Sequence, residues 1–105
     1  MSTSSSDDQG DADTSGAVTR VMKICNEKGL HARASAKFVQ VVEKYDARVS
    51  VSRSSESVGG DSIMGLMMLG AGIGSTITVT ATGPQARAAV DALDALVSGK
   101  FGEEE

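Results

Sequence analysis

Apolar and polar residues repeat with two different periods along this chain, and the switches between them mark its elements. Residues 18–25 (VTRVMKIC) are rich in β-branched and apolar types and predict a strand. Asn26, Glu27, Lys28 and Gly29 supply turn chemistry. Over residues 32–44 the period becomes helical: Ala34, Phe38, Val41, Val42 and Tyr45 recur on one face, with Lys37, Gln40 and Lys44 elsewhere on the wheel. Residues 48–53 (RVSVSR) alternate strictly, placing Val49 and Val51 on one face. Ser54 and Ser55 then turn the chain into a short strand around Glu56, Ser57 and Val58, which ends at Gly59 and Gly60 and completes a hairpin.

The second half repeats the alternation of types. Ser62 is a good N-cap for a short helix from Ile63 to Leu69, ended by Gly70. Gly65 inside it lowers helix propensity by about 1 kcal/mol relative to Ala, so it is expected to permit close packing. Residues 75–82 (STITVTAT) alternate again, with Ile77, Val79 and Ala81 inward. Gly83 and Pro84 open a last helix, with Pro at its favoured first position. Ala86, Ala89, Val90, Leu93, Leu96 and Val97 form a wide apolar stripe that Gly99 ends. The order βαββαβα, with strands apolar on one side only, predicts an α+β open-faced β-sandwich: a four-stranded antiparallel sheet carrying three helices on one face.

Composition adds constraints. The 105 residues are 40% hydrophobic but only 3% aromatic, so the core is built from Val, Ile, Leu, Met and Ala. Such strands offer no stacking platform for nucleic acid. Residues 1–17 are Ser- and Asp-rich and are expected to form a disordered acidic tail. Residues 18–102 form the folded body, and Glu103, Glu104 and Glu105 a short acidic C-terminal tail, both tails being solubilising. With Asp7, Asp8, Asp11, Asp13 and those three glutamates set aside, seven acidic residues face ten basic ones, and the net charge of −4 becomes a body near +3. That excess suits an acidic protein partner or a phosphate. One cysteine, Cys25, excludes an internal disulfide, and with one histidine no Cys/His zinc cluster can form, so no metal or other cofactor is expected. Cys25 falls in a strand pattern and reads as a buried structural thiol. No apolar run reaches the ~20 residues of a membrane span, and the N-terminus has no signal-peptide pattern, so a cytoplasmic protein without membrane insertion is expected.

The lone histidine, His31, is the sharpest chemical feature. It stands in Gly29-Leu30-His31-Ala32-Arg33, directly before the first helical pattern. A histidine there combines a nitrogen nucleophile available at neutral pH with helix-start N–H groups that suit an anion. Arg33, two residues on, can fork onto phosphate oxygens. The blander role for His31 is a helix cap or an exposed loop residue.

The segment GLHARASAKFV, followed about thirty residues after the histidine by GGDSIMGLMML, resembles the HPr phosphocarrier proteins of the bacterial phosphoenolpyruvate-dependent phosphotransferase system. The resemblance spans about residues 18–102. It implies that His31 accepts a phosphoryl group at Nδ1 from the phosphohistidine of enzyme I and passes it to a histidine on an EIIA-type domain. Arg33 matches the family's phosphate-site arginine. Such a protein is a stoichiometric carrier, not an enzyme, and is expected to be a monomer. Ala34 departs from the proline many members carry there; with Ser35 next, the motif is similar to the regulatory, nitrogen-type branch.

Ser62 matches the family's regulatory serine, the target of HPr kinase/phosphorylase, where a phosphate adds about −1.5 to −2 charges. Asp61 before it departs from the lysine common in the family. The helix Ile63 to Leu69 is too apolar to be fully exposed. Ile63, Met64 and Met67 are expected to form a docking patch, since flexible methionines suit a surface that meets several partners. A rival reading is a mainly regulatory binding module that signals through its phosphorylation state.

Overall fold

The computed structural model describes residues 17–103. Strands β1 (Val18–Lys23), β2 (Arg48–Arg53), β3 (Glu56–Gly59) and β4 (Thr76–Thr82) alternate with helices α1 (Ala32–Val42), α2 (Ile63–Met68) and α3 (Ala86–Ser98), and a 3₁₀ turn follows at Lys100–Gly102. The sheet order is β1-β4-β2-β3, every pair antiparallel. The expected open-faced sandwich is the observed fold. Residues 1–16, with the acidic segment read from them, lie outside the described residues.

Register explains the layering. Val49 pairs with Ala81 and Val51 with Val79, and Ile77 lies opposite Met22, so one face of the sheet is continuously apolar. Val51, Ile77, Val79 and Ala81 are completely buried there. The helices supply the opposing layer: Ala34, Phe38 and Val42 from α1, Leu66 from α2, and Ala86, Ala89, Val90, Leu93 and Val97 from α3. Val39 and Ser35 of α1 are also buried, outside the stripe read from sequence, and Ser35 donates its hydroxyl to the Leu30 carbonyl at 3.2 Å. Arg20 of β1 reaches Asp91 and Asp94 on α3 at 2.9 and 3.1 Å, tying the first strand to the last helix.

Several local expectations shift. The first strand ends at Lys23, and Cys25 is half-buried in the following loop, where its thiol donates to the Val97 carbonyl at 3.3 Å. It satisfies a carbonyl at the end of α3, where the helix's own N–H groups run out. Pro84 is not the first helical residue: Gln85 is the N-cap and α3 starts at Ala86. Gln85 is drawn out of the helix by a pair of bonds with Asp46, N–H to O at 3.0 Å and Oε1 from N–H at 2.7 Å. Gly65 allows the packing expected of it, since a Cβ there would sit 3.0 Å from Val58 Cβ.

The chain end departs most from expectation. After α3, Lys100 and Phe101 take φ of 59° and 57°, and Gly102 follows at 75°. A left-handed non-glycine residue costs roughly 1–2 kcal/mol. Burial of Phe101, 1% exposed and joined to the core, offsets it with about 2–3 kcal/mol. Lys37 of α1 also donates to the Phe101 carbonyl at 2.7 Å. The result is a strap that leads Glu103 back across the start of α1.

Gly29 sets where α1 begins. Its φ is +65°, and a Cβ would lie 2.4 Å from the Ala71 carbonyl oxygen. Gly70 has the same φ with nothing within 4 Å. In urea denaturation, Gly29→Ala is expected to cost about 2–4 kcal/mol and Gly70→Ala only about 1–2 kcal/mol. Equal costs at the two positions would show that the close approach to Ala71 is not felt.

Candidate phosphoryl-carrier site

Asn26 begins the construction of the site. It is fully buried, and its Nδ2 donates to the Gly29 carbonyl at 2.9 Å, closing the turn that precedes α1. Leu30 then donates its N–H to the Ala71 carbonyl at 3.0 Å, and its side chain is buried. With the residues on either side held, His31 is left as the N-cap of α1, in extended conformation. Its carbonyl accepts the Ser35 N–H at 2.9 Å, the first helical bond.

The imidazole is held at both nitrogens. Nδ1 accepts the backbone N–H of Arg33 at 3.3 Å. Nε2 lies 2.5 Å from Oε2 of Glu103. A backbone N–H donor at Nδ1 and a carboxylate acceptor at Nε2 together select the tautomer with its proton on Nε2 and its lone pair on Nδ1. The ring is 28% exposed, so it is reachable from solvent.

Glu103 is gripped from two sides. Its second oxygen, Oε1, accepts from Asn26 Nδ2 at 3.2 Å. The hydrogen bond from His31, with help from Asn26 and the charge of Lys28, holds its carboxyl below the ordinary value of 4.5. Asn26 thus links the turn before α1 to the strap after α3. Its Oδ1 is buried with no partner among the described residues.

His31 and Arg33 line one open depression together with Lys28, Lys37 and Glu103. Arg33 is exposed in the first turn of α1. The α2 residues line no part of this depression. Ser62 caps α2, its hydroxyl accepting the Gly65 N–H at 2.9 Å. Ile63, Met64 and Met67 are 41%, 67% and 40% exposed, an apolar surface on the outside of α2. Met68 on the same helix and Ile73 in the loop that follows, not singled out in the sequence, are also exposed, at 73% and 59%. Among the described residues no cluster of His, Cys, Asp or Glu could hold a metal ion, and no helix is long and apolar enough to cross a membrane.

Sequence reasoning missed Glu103 and Asn26. The sequence pattern groups Glu103 with the terminal acids as part of a solubilising tail; the structure instead places its carboxylate against the His31 ring. No local pattern marks it, because the contact joins residues 72 apart in the chain.

Residues 18–99 match the family model described as the PTS HPr component phosphorylation site. The chain belongs to the HPr family. It is a phosphocarrier protein of the phosphotransferase system. Phosphocarrier protein HPr of Cupriavidus necator is 51% identical over 88 residues, covering 84% of this chain and 99% of the relative. Phosphocarrier protein NPr of Shewanella violacea is 42% identical, covering 82% and 94%. The crystal structure of HPr-C-His from Thermoanaerobacter tengcongensis superposes with a TM-score of 0.80 at 38% identity, over 84% of this chain and 99% of that one. The expected HPr resemblance is therefore correct, and the HPr fold sets the layer on which His31 and α2 are displayed.

Because the Glu103 carboxyl is held below its ordinary value, its contacts add stability above about pH 4.5 and lose it as pH falls through the lower folded value. An NMR titration of the Glu103 side-chain carboxyl is expected to give a midpoint below 4.5, moving up toward 4.5 in His31→Ala. A midpoint at or above 4.5 in the unaltered protein would contradict the described contact.

Proposed function

We propose that this HPr-family protein carries a phosphoryl group on Nδ1 of His31, taking it from the phosphohistidine of an enzyme I and giving it to a histidine of an EIIA-type acceptor. The observation that supports this most directly is the division of labour on the ring. Nε2 faces a carboxylate, and Nδ1 keeps a lone pair whose only described partner is a backbone N–H at 3.3 Å. That bond is at the long, weak end of the range, so Nδ1 gives it up at little cost.

In the transfer, the Nδ1 lone pair forms the new N–P bond while the donor's P–N bond breaks. The departing electron pair returns to the donor's imidazole, and the same step in reverse serves the acceptor. The released Arg33 N–H and the Arg33 guanidinium then stand beside the phosphoryl oxygens. Lys28 and Lys37 add positive charge to the same depression. The site is open and shallow enough to give the group away again, which a carrier needs as much as capture. The protein acts stoichiometrically, with each partner completing the transition-state site. Ala34 replaces a fixed-φ proline by a good helix former, and α1 still starts at Ala32. Ile63, Met64 and Met67 form the docking surface for enzyme I and the acceptor, and their exposure supports that reading.

Incubation with enzyme I and labelled phosphoenolpyruvate is expected to give one acid-labile label per chain, abolished in His31→Ala while the fold is retained. Absence of label with an active cognate enzyme I would refute the carrier role.

Ser62 serves as a second phosphate site, for HPr kinase/phosphorylase. Its hydroxyl caps α2 beside the exposed Ile63 and Met64, so a dianion there would oppose docking on an acidic surface. Kinase-treated protein is expected to accept label on His31 at least about ten-fold more slowly, as one lost or repelled charge contact of about 1.4 kcal/mol implies. Ser62→Ala should escape that slowing at a stability cost of about 1 kcal/mol for the lost cap. A kinase that leaves the unaltered protein unmodified would remove this regulation.

A further inference from the structure

We propose that Glu103 is a positioning residue for phosphoryl transfer, which holds the His31 ring in its Nδ1-nucleophilic tautomer and balances the positive charge that ring gains on phosphorylation. The inference rests on His31 being the carrier residue. Four observations carry it. The Glu103 carboxylate meets His31 at Nε2, the nitrogen opposite the attacking one, at 2.5 Å. Its other oxygen is occupied by Asn26 Nδ2, and Asn26 is fully buried, so the carboxylate is aimed and not free to rotate. Its side chain is only 16% exposed, which weakens solvent screening of the contact. And the backbone that delivers it is held in an unfavourable conformation, left-handed at both Lys100 and Phe101, by burial of Phe101 and by Lys37.

The chemistry follows from the charge count. The form of the ring that can attack is the neutral one, with its proton on Nε2. When Nδ1 donates its lone pair to phosphorus, the donor's P–N electrons leave with the donor. The Nε2 proton stays where it is, so the His31 ring becomes cationic as the N–P bond forms. A carboxylate at Nε2 then faces a positive charge that the ground state lacked, and a full ion pair forms where a hydrogen bond from a neutral ring to the same carboxylate stood. An interaction that grows along the reaction lowers the barrier, whereas one equally strong before and after would not. The same carboxylate disfavours the other tautomer, in which Nδ1 would carry the proton and have no lone pair to give.

Two variants separate these roles. Glu103→Gln keeps an acceptor oxygen at Nε2 but removes the charge; Glu103→Ala removes both. Phosphorylation by enzyme I and phosphoenolpyruvate is measured over a range of carrier concentrations up to saturation, together with ¹⁵N shifts of the neutral His31 ring. Glu103→Ala is expected to slow transfer on the order of ten-fold, the effect of one charge-assisted hydrogen bond, without raising the KM for the carrier. Its ring nitrogens should show a mixed tautomer population. Glu103→Gln is expected to keep the Nε2–H tautomer yet lose most of the rate. Unchanged rates and an unchanged tautomer ratio in both folded variants would overturn the proposal, as would an effect confined to KM, which would mean docking alone. If the unaltered protein carries no label on His31, the carrier reading falls and this role with it; if it does and the variants match it, only the role of Glu103 falls.

Discussion

The geometry around His31 depends on a close approach of two backbone segments, the turn at Gly29 and the loop at Ala71. A Cβ at residue 29 would lie 2.4 Å from the Ala71 carbonyl oxygen, and that same oxygen accepts the Leu30 N–H. The chain must therefore have glycine there, in the left-handed conformation, immediately before α1. Leu30 is buried by this contact, and His31 is left at the helix boundary with its ring outward. The Leu30 N–H bond before it and the first helical bond at its own carbonyl fix the backbone at His31, which suits the proposed role of a residue that partners must find in one place.

A second constraint comes from the other end of the chain. The strap after α3 is conformationally costly, and a terminal segment with three successive left-handed residues would not persist on local preference. Core burial of Phe101 and the Lys37 bond hold it. Packing free energy of the sheet-and-helix core is thus converted into placement of one carboxylate beside one imidazole. Asn26 couples the two ends, since its single amide group bonds both the Gly29 carbonyl and Glu103.

The exposed apolar surface of α2 has a different origin. Helix α2 is short and buries one residue fully, Leu66, so most of its apolar side chains cannot reach the core. Ile63, Met64, Met67 and Met68 are exposed as a geometric consequence of a six-residue helix lying on the edge of the layer. An apolar surface kept in this way is consistent with a protein that must meet more than one partner.

The sequence by itself determined the element order, the inward faces of β2 and β4, the caps at His31 and Ser62, and the family. These are local properties: alternation, helical period and capping chemistry act over a few residues, and two long motifs in register identify the family. Element ends were less legible, as Cys25 and Gln85 show, because long-range bonds to Val97 and Asp46 decided them. Only the tertiary structure decided that Phe101 is core, that Gly29 abuts Ala71, and that Glu103 closes on His31. Each of those joins segments far apart in the chain, and a charge in a terminal acidic run carries no local mark of its eventual partner.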